Sequence, residues 1–229
     1  MTRSEIISGL RSSSPQLTIG TLTTDDQEAA IETLVDGGIP LLHVDIMDGT
    51  AWPKTTVGPD FVAGLQADLL KDVHLLVENP EEHIISYVAA GSGVITFCVE
   101  YTDDIGRCLS LIEQGGEQIL RGASLNPGTS VEVIQPHLDR IDVVYLLAIG
   151  PDTGKETFFD ALPAKIAQLR EWKPDVLIVI DGAIKKDNVG EVSKMGSDFI
   201  ATGSAVFDGN DAAANIREMK ASIAAAQTA

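Results

Sequence analysis

Short runs of apolar residues recur along the chain, and each run is followed by a stretch whose apolar positions repeat every three or four residues. The runs are mostly continuous rather than alternating between apolar and polar, which is typical of parallel strands buried on both faces. The stretches between them have the period of amphipathic helices. The predicted strands are residues 16–22, 39–46, 72–77, 94–99, 119–125, 141–148, 175–180 and 198–201.

Capping residues predict where the intervening helices start. Thr24 is suited to be the N-cap of the first of them, with Ile31, Leu34 and Val35 on one face. The run Thr129-Ser130-Val131-Glu132 has the form of a capping box. Other helices are predicted at residues 4–11, from Pro59, from Pro80, and near 103–114, 158–171, 187–194 and 211–225.

This regular alternation of strand and helix predicts one architecture. Successive βα units with right-handed crossovers build a parallel sheet, and eight of them close into a (β/α)8 TIM barrel. We expect one domain over residues 15–229, preceded by an N-terminal extension over residues 1–14. A doubly wound open sheet is the rival, but no glycine-rich dinucleotide loop follows the first strand.

The chain of 229 residues carries a formal net charge of −18. Nucleic acid and anionic membrane surfaces are therefore not expected as partners, because both require clustered positive charge. A phosphate would have to be held locally, by backbone N–H groups or a few lysines.

The two cysteines, Cys98 and Cys108, make neither a disulfide framework nor a metal-binding spacing, which favours a reducing, cytoplasmic setting. No apolar run approaches the roughly 20 residues that span a bilayer. Residues 1–14 also lack the apolar core of a signal peptide.

Candidate chemistry lies where predicted strands end. His43 and Asp45 point to the same side of the second strand, His74 lies in the third, and Asp181 ends the seventh. Singly, a strand histidine is more often a core residue, and an aspartate before glycine is more often a turn residue. Four such residues at strand ends that a barrel brings together form a reasonable site for Zn²⁺, Fe²⁺ or Mn²⁺.

Longer stretches around these residues resemble the ribulose-phosphate 3-epimerase family. The resemblance runs from about Pro15 to about Met219, with its motifs in family order. The matching segments are His43-Val44-Asp45-Ile46-Met47-Asp48-Gly49, Pro53, Val57-Gly58-Pro59, Asp72-Val73-His74-Leu75-Leu76-Val77-Glu78-Asn79-Pro80, Ile95-Thr96-Phe97, Leu125-Asn126-Pro127-Gly128-Thr129, Ile180-Asp181-Gly182 and Gly203-Ser204-Ala205-Val206-Phe207.

The resemblance implies epimerisation of a ketose phosphate by two opposed acid/base residues, Asp45 and Asp181, through a cis-enediolate. It implies one divalent metal ion held by His43, Asp45, His74 and Asp181, and a homo-oligomeric assembly. The substrate-binding residues that it implies are Thr18, Met47, His74, Gly154, Lys155, Gly182, Ala183, Gly203 and Ser204. Of these, Gly182-Ala183 and Gly203-Ser204 correspond to the family's phosphate grip.

The chain departs from the family pattern where the substrate is expected. The loop Gly150-Pro151-Asp152-Thr153-Gly154-Lys155-Glu156 lacks glycines that the family has there, and Lys155 is either a compensating charge or a solvated loop residue. Other departures are Cys98 for histidine, Leu76 and Leu147 for methionine, Thr50-Ala51-Trp52 for His-Phe-Val, Ala183 for glycine and Thr18 for serine.

Three hypotheses follow. The first is a metal-dependent 3-epimerase of D-ribulose 5-phosphate, or of a close ketose phosphate such as D-allulose 6-phosphate. The second is a decarboxylase or aldolase that shares the barrel and needs a lysine near the site, for which Lys155 and Lys185 give little support. The third is a barrel that binds a metal or sugar phosphate without turnover.

Overall fold

The strands of this computed structural model, which describes residues 1–152, 156–209 and 211–228, form a closed parallel barrel in the order β1 to β8. The predicted (β/α)8 fold is confirmed. Two residues implied to bind substrate, Gly154 and Lys155, lie outside the described residues. The strands are β1 Gln16–Gly20, β2 Leu41–Met47, β3 Leu70–Leu76, β4 Val94–Cys98, β5 Leu120–Leu125, β6 Val143–Leu147, β7 Leu177–Asp181 and β8 Phe199–Thr202.

Helices surround this barrel, together with shorter 3-10 turns. The α-helices are α1 Arg3–Leu10, α2 Gln27–Asp36, α3 Pro59–Gly64, α4 Ile84–Ala89, α5 Ile105–Glu113, α6 Leu162–Trp172, α7 Val189–Ser193 and α8 Ala212–Gln227. The 3-10 turns are Pro80–Glu82, Val99–Tyr101, Val131–Val133, Gln135–Arg140 and Phe159–Ala161. None of the helices in the described part of the chain is long and apolar enough to cross a membrane.

The capping box predicted after β5 is wrong. Ser130 precedes only the 3-10 turn Val131–Val133, and its side chain makes no capping hydrogen bond. A second 3-10 turn, Gln135–Arg140, has proline in its first positions, where proline contributes no backbone donor. The connection from β5 to β6 is therefore made of 3-10 turns in place of an α-helix.

The start of α2 also differs from the prediction. Its N-cap is Asp26, whose side chain accepts a hydrogen bond from the backbone N–H of Ala29. Thr24 instead lies in the preceding turn, where its N–H donates to the carbonyl of Thr21 at 3.1 Å. Val35 is 46% exposed, because the buried face of α2 is centred on Ala30, Ile31 and Leu34.

The two faces of each strand enter different cores. In β2, Leu42, Val44 and Ile46 belong to the large apolar core between the barrel and its helices. The alternate residues point into the barrel, so His43 and Asp45 share its interior, as their spacing predicted. Burial on both faces explains why the strands have nearly continuous apolar sequences.

The N-terminal end of the barrel interior is closed by apolar side chains. Ile6 and Leu10 of α1 pack in one cluster with residues from the strands, including Leu41, Val94 and Phe199. Residues of the predicted N-terminal extension thus contribute to the barrel core. The opposite, C-terminal end is left for polar side chains, which is where barrel enzymes place their active sites.

Candidate metal centre and active site

Four side chains from three strands meet at the C-terminal end of the barrel. One ligand atom from each of His43, Asp45, His74 and Asp181 lies within 4.8 Å of the others. The pairing of β2 with β3 places Asp45 beside His74, and the pairing of β6 with β7 places Asp181 at the strand end. All four predicted ligands are therefore brought together.

His74 lies between the two carboxylates. Its Nδ1 is 3.3 Å from Asp45 Oδ1 and 3.4 Å from Asp181 Oδ2. The ring is fully buried, and within the described structure neither ring nitrogen makes a well-directed hydrogen bond. Burial by itself would lower the pKa of His74, but the carboxylates of Asp181 and Asp45 raise it well above its usual value.

His43 is held on both sides. Its Nε2 is 3.1 Å from Asp45 Oδ1, and its Nδ1 is 3.0 Å from Asp72 Oδ2. A carboxylate can only accept, so in the protonated ring Nδ1 donates to Asp72 and Nε2 donates to Asp45. Burial opposes a charge on His43, but Asp45 and Asp72 outweigh it and raise the pKa of the imidazole well above its usual value.

Asp45 is fixed through its backbone as well as through the two histidines. The hydroxyl of Thr56, in the loop after β2, donates to the carbonyl of Asp45 at 2.7 Å and accepts from the N–H of Met47 at 2.9 Å. Burial would raise the pKa of the Asp45 carboxyl, but His43 and His74 lower it below its usual value. Asp45 is thus an anion held between two imidazoles.

This arrangement fits a divalent metal ion. Two imidazole nitrogens and two carboxylate oxygens are the ligand types that Zn²⁺, Fe²⁺ and Mn²⁺ accept in proteins. The buried His74 nitrogens that lack a hydrogen bond are the strongest sign, because buried polar atoms in a folded protein are normally satisfied. A metal bound at Nδ1 would satisfy one of them.

A cavity of about 150 Å³ opens beside this cluster. It reaches from His43, Asp45 and Asp181 to the loops after β7 and β8. The residues implied to hold phosphate, Gly182, Ala183, Gly203 and Ser204, all line it, together with Gly20, Ile184, Lys185, Ala201 and Thr202. The cavity therefore joins the candidate metal centre to two stretches of loop backbone.

Thr18 does not line this cavity. It is fully buried in the barrel interior, and its hydroxyl lies 3.3 Å from Asp72 Oδ2 and 3.4 Å from the carbonyl of Leu41. The β1 residue that reaches the cavity is Gly20, which pairs with His43. Thr18 and Gly20 point to the same side of β1, but the register with β2 sets Thr18 one layer deeper.

Comparison with known proteins agrees with this geometry. The sequence profile of the Ribulose-phosphate 3 epimerase family matches residues 17–207, a range that contains all four candidate ligands. The chain belongs to the ribulose-phosphate 3-epimerase family. It is thus an isomerase, an epimerase that acts on carbohydrates.

Individual members of the ribulose-phosphate 3-epimerase family match most of the chain. The ribulose-phosphate 3-epimerase of Aquifex aeolicus is 34% identical over 196 residues, which cover 83% of this chain and 87% of that protein. The Bacillus subtilis enzyme of the same name is 32% identical over 199 residues, covering 84% and 91% of the two chains.

Solved structures show that the fold is shared more widely than the family. The structure of 3-hexulose-6-phosphate synthase from Salmonella typhimurium has a TM-score of 0.67 at 15% identity, and the match covers 92% of this chain and 99% of that one. At that identity the likeness concerns the barrel alone.

Several positions that depart from the epimerase family pattern meet at the mouth of the barrel. Leu76, Cys98 and Leu147 form a small apolar cluster, against which Met47, Trp52 and Tyr101 pack. Met47, implied to bind substrate, belongs to this cluster. Burial raises the pKa of the Cys98 thiol, so the thiol remains protonated beside His74. Three of the predicted departures thus lie in one apolar cluster, and one of them, Cys98, lies beside His74.

Two residues behind the candidate metal centre were not predicted from the sequence. Asp72 accepts from His43, and Tyr145 donates a hydrogen bond to Asp72. Asp72 carries a sequence signal, because it precedes His74 by two residues and therefore shares its strand face. Tyr145 carries none, since it lies inside an apolar run in β6.

Ala183 is held in a conformation that favours glycine. Its φ is +56°, directly after Gly182 at +99°, and this costs an alanine about 1–2 kcal/mol. We expect Ala183→Gly to raise the free energy of unfolding, measured in urea, by about 0.5–1 kcal/mol, because the greater entropy of unfolded glycine offsets part of the gain. Ala221→Gly, at an exposed position inside α8, should lower it by about 0.5–1 kcal/mol. A loss of stability in Ala183→Gly would contradict this view of the loop.

Proposed function

We propose that the protein is a metal-dependent 3-epimerase of a ketose phosphate, converting D-ribulose 5-phosphate to D-xylulose 5-phosphate or a close analogue. The observation that carries this proposal is the placement of two carboxylates, from two different strands, against one imidazole nitrogen. Asp45 from β2 and Asp181 from β7 lie 3.3 and 3.4 Å from the same nitrogen of His74. Inversion at a carbon needs one acid/base group on each face, and this pair supplies two groups from different strands.

The residues have distinct roles in this reaction. One carboxylate, Asp45, takes the C3 proton of the ketose, which leaves a cis-enediolate. The other, Asp181, delivers the proton that its own carboxyl carries to C3 from the opposite face, which inverts the centre and leaves Asp181 as the carboxylate and Asp45 as the acid. In the reverse direction the two residues exchange roles. In the metal-free protein the protonated imidazoles of His43 and His74 lower the pKa of the Asp45 carboxyl, and a bound divalent cation would supply the positive charge in their place.

The ligands of the metal would be His43, Asp45, His74 and Asp181, with Zn²⁺, Fe²⁺ or Mn²⁺ as the candidate ions. A bound divalent ion supplies positive charge that stabilises an oxyanion developing on the substrate. Asp45 and Asp181 are thus assigned as both ligands and acid/base groups. Asp181 is the last residue of β7 and Asp45 lies two residues before the end of β2, which supports this double role.

The phosphate of the substrate is assigned to the loops after β7 and β8. The segments Gly182-Ala183 and Gly203-Ser204 line the cavity, and their backbone N–H groups are the proposed donors to phosphate oxygens. A chain with a net charge of −18 needs such a local site. Lys185 is the one lysine or arginine among the described residues that line the cavity, and it adds a positive charge there.

Lys185 does not turn the site into that of a Schiff-base aldolase. A lysine nucleophile is activated by burial in an apolar pocket or by an adjacent cation. The Lys185 side chain is exposed, and it follows the end of β7 by four residues. The decarboxylase or aldolase alternative therefore receives no support beyond the presence of a lysine.

A longer ketose phosphate is the second candidate substrate. Lys185 and Ser204 also line an adjoining cavity of about 600 Å³, which provides space beyond the first cavity. This space favours testing a six-carbon substrate such as D-allulose 6-phosphate beside the five-carbon one. The changed apolar cluster of Leu76, Cys98 and Leu147 supports the same comparison.

Proton exchange tests the chemistry and the substrate together. The metal-loaded protein would be incubated in D₂O with ribulose 5-phosphate, xylulose 5-phosphate, allulose 6-phosphate and fructose 6-phosphate in turn, and the C3 proton signal followed by NMR. We expect deuterium at C3 and appearance of the 3-epimer with at least one substrate. Tight binding without exchange would instead favour a barrel that has lost turnover, and neither binding nor exchange would refute the proposed function.

A further inference from the structure

Tyr145 is a fully buried tyrosine on the inner face of β6. It belongs to the apolar cluster inside the barrel, together with Leu177, Val179 and Phe199. Apart from its hydroxyl, the side chain is buried in the interior, as a core residue would be. Phenylalanine would fill nearly the same volume without burying a hydroxyl, so packing alone does not account for tyrosine here.

The phenol hydroxyl is used in a buried network. It donates a hydrogen bond to Asp72 Oδ2, the same oxygen that lies 3.0 Å from His43 Nδ1 and 3.3 Å from the hydroxyl of Thr18. Asp72 is fully buried, and within the described residues its only ion-pair partner is His43. A carboxylate in an apolar interior is costly unless donors surround it, and Tyr145 and Thr18 are such donors.

The ring of Tyr145 also contacts both histidines of the candidate metal centre. Its centroid lies 5.7 Å from that of His43, with the planes only 20° apart, and 4.9 Å from that of His74 at 34°. One side chain therefore forms the floor beneath two proposed ligands. Its hydroxyl and its ring reach the site by separate contacts.

The consequence concerns which nitrogen of His43 is available to a metal. Nδ1 faces Asp72 and the Tyr145 hydroxyl, whereas Nε2 faces Asp45 and the cluster, so a metal in the cluster would meet Nε2 and leave the Nδ1 proton to Asp72. Second-layer carboxylates fix the tautomer and the ring plane of metal-binding histidines in this way. Tyr145 in turn fixes Asp72, because it limits where the carboxylate oxygen can lie.

We propose that Tyr145 is a positioning residue of the metal centre. Acting through Asp72, it holds His43 with Nδ1 as donor and Nε2 as ligand, and its ring sets the plane of His74. This proposal rests on the metal site of the proposed function. It adds that two residues beneath the ligands, Tyr145 and Asp72, set the geometry of that site.

Tyr145→Phe tests the hydroxyl while keeping the ring. Zn²⁺ affinity of the full-length, metal-stripped protein would be measured by competition with a chromophoric chelator, and the Co²⁺-loaded protein by its visible absorption bands. We expect Zn²⁺ affinity to fall about 10–100-fold and the Co²⁺ bands to shift, since outer-layer partners of metal ligands have effects of this size. Asp72→Asn should weaken Zn²⁺ binding at least as much.

Tyr87→Phe is the matched control, because Tyr87 is a buried tyrosine in α4, outside the site. It should leave Zn²⁺ affinity and Co²⁺ bands unchanged. A Tyr145→Phe protein with a lowered melting temperature but unchanged Zn²⁺ affinity and Co²⁺ bands would show that Tyr145 has only a packing role, and would overturn the proposal. If the wild type itself takes up no Zn²⁺, the proposed metal-dependent function fails first, which is a different result.

The wild-type protein allows a second test, which does not depend on whether a variant folds correctly. Long-range ¹H–¹⁵N spectra of the Zn²⁺-loaded protein distinguish the two ring nitrogens of a histidine. We expect His43 to carry its proton on Nδ1, in slow exchange with solvent, and the metal on Nε2. A His43 protonated at Nε2 would contradict the proposal, whatever the behaviour of the variants.

Discussion

Asp181→Asn is expected to lower epimerisation by about 10²–10⁴-fold in both directions, which is the usual contribution of a positioned general acid or base. An amide cannot accept or return the proton on its face of the substrate. Asp45 is unchanged in this variant, so exchange at C3 should fall less for the epimer whose C3 hydrogen faces Asp45. Comparing epimerisation with exchange, starting from each epimer in D₂O, therefore separates the two bases.

The reciprocal variant and a neutral one complete that experiment. Asp45→Asn should show the opposite preference, with exchange retained better from the other epimer. Asp60→Asn, at an exposed position in the first turn of α3, should be like wild type. Because Asp181 is also a proposed ligand, bound metal must be quantified in each variant. Near-native epimerisation in Asp181→Asn would rule out the proposed role of Asp181.

Removal of divalent metal should abolish turnover, and adding Zn²⁺, Fe²⁺ or Mn²⁺ should restore it. A stabilised oxyanion is worth several kcal/mol in such reactions, so we expect a loss of at least about 10³-fold. The chelated protein should keep its helical circular dichroism, since the metal cluster lies at one end of an apolar barrel. Activity that is unaffected by exhaustive chelation, with metal shown to be absent, would contradict the proposed mechanism.

The melting temperature of the protein reports metal binding at the same site without any substrate. An ion that binds the folded state at 100 times its dissociation constant stabilises it by about 2.7 kcal/mol, so the melting temperature should rise with added metal. His74→Ala should remove most of that rise.

The raised pKa values of His43 and His74 mean that both hold protons in the metal-free protein. Metal must displace these protons, so its affinity should increase with pH.

Much of the fold and of the site followed from local patterns. Continuous apolar runs separated by helical stretches predicted the barrel, because a strand covered on both faces has no polar side. The alternation of side chains along β2 is enough to put His43 and Asp45 on one face. Asp72 was within reach of the same reasoning, through its spacing from His74.

Local patterns failed where several parts of the chain compete for one segment. The four residues from Thr129 resemble a helix start, yet the segment forms 3-10 turns. The prolines and the neighbouring strands determine its structure more strongly than the capping pattern does. Thr18 and Gly20 both point into the barrel, but only Gly20 reaches the cavity. Their depth depends on the stagger of β1 against β2, which no property of β1 alone determines.

The sequence by itself determined the barrel, the side-chain types of the proposed ligands and the strand ends from which they come. Hydrophobic burial and the alternation of side chains along a strand act locally, so they can be recognised in the order of residues. Only the tertiary structure decided that Tyr145 of β6 meets Asp72 of β3 beneath His43. That contact joins residues 73 positions apart, and it arises because barrel closure and strand stagger are set by pairing around the whole sheet.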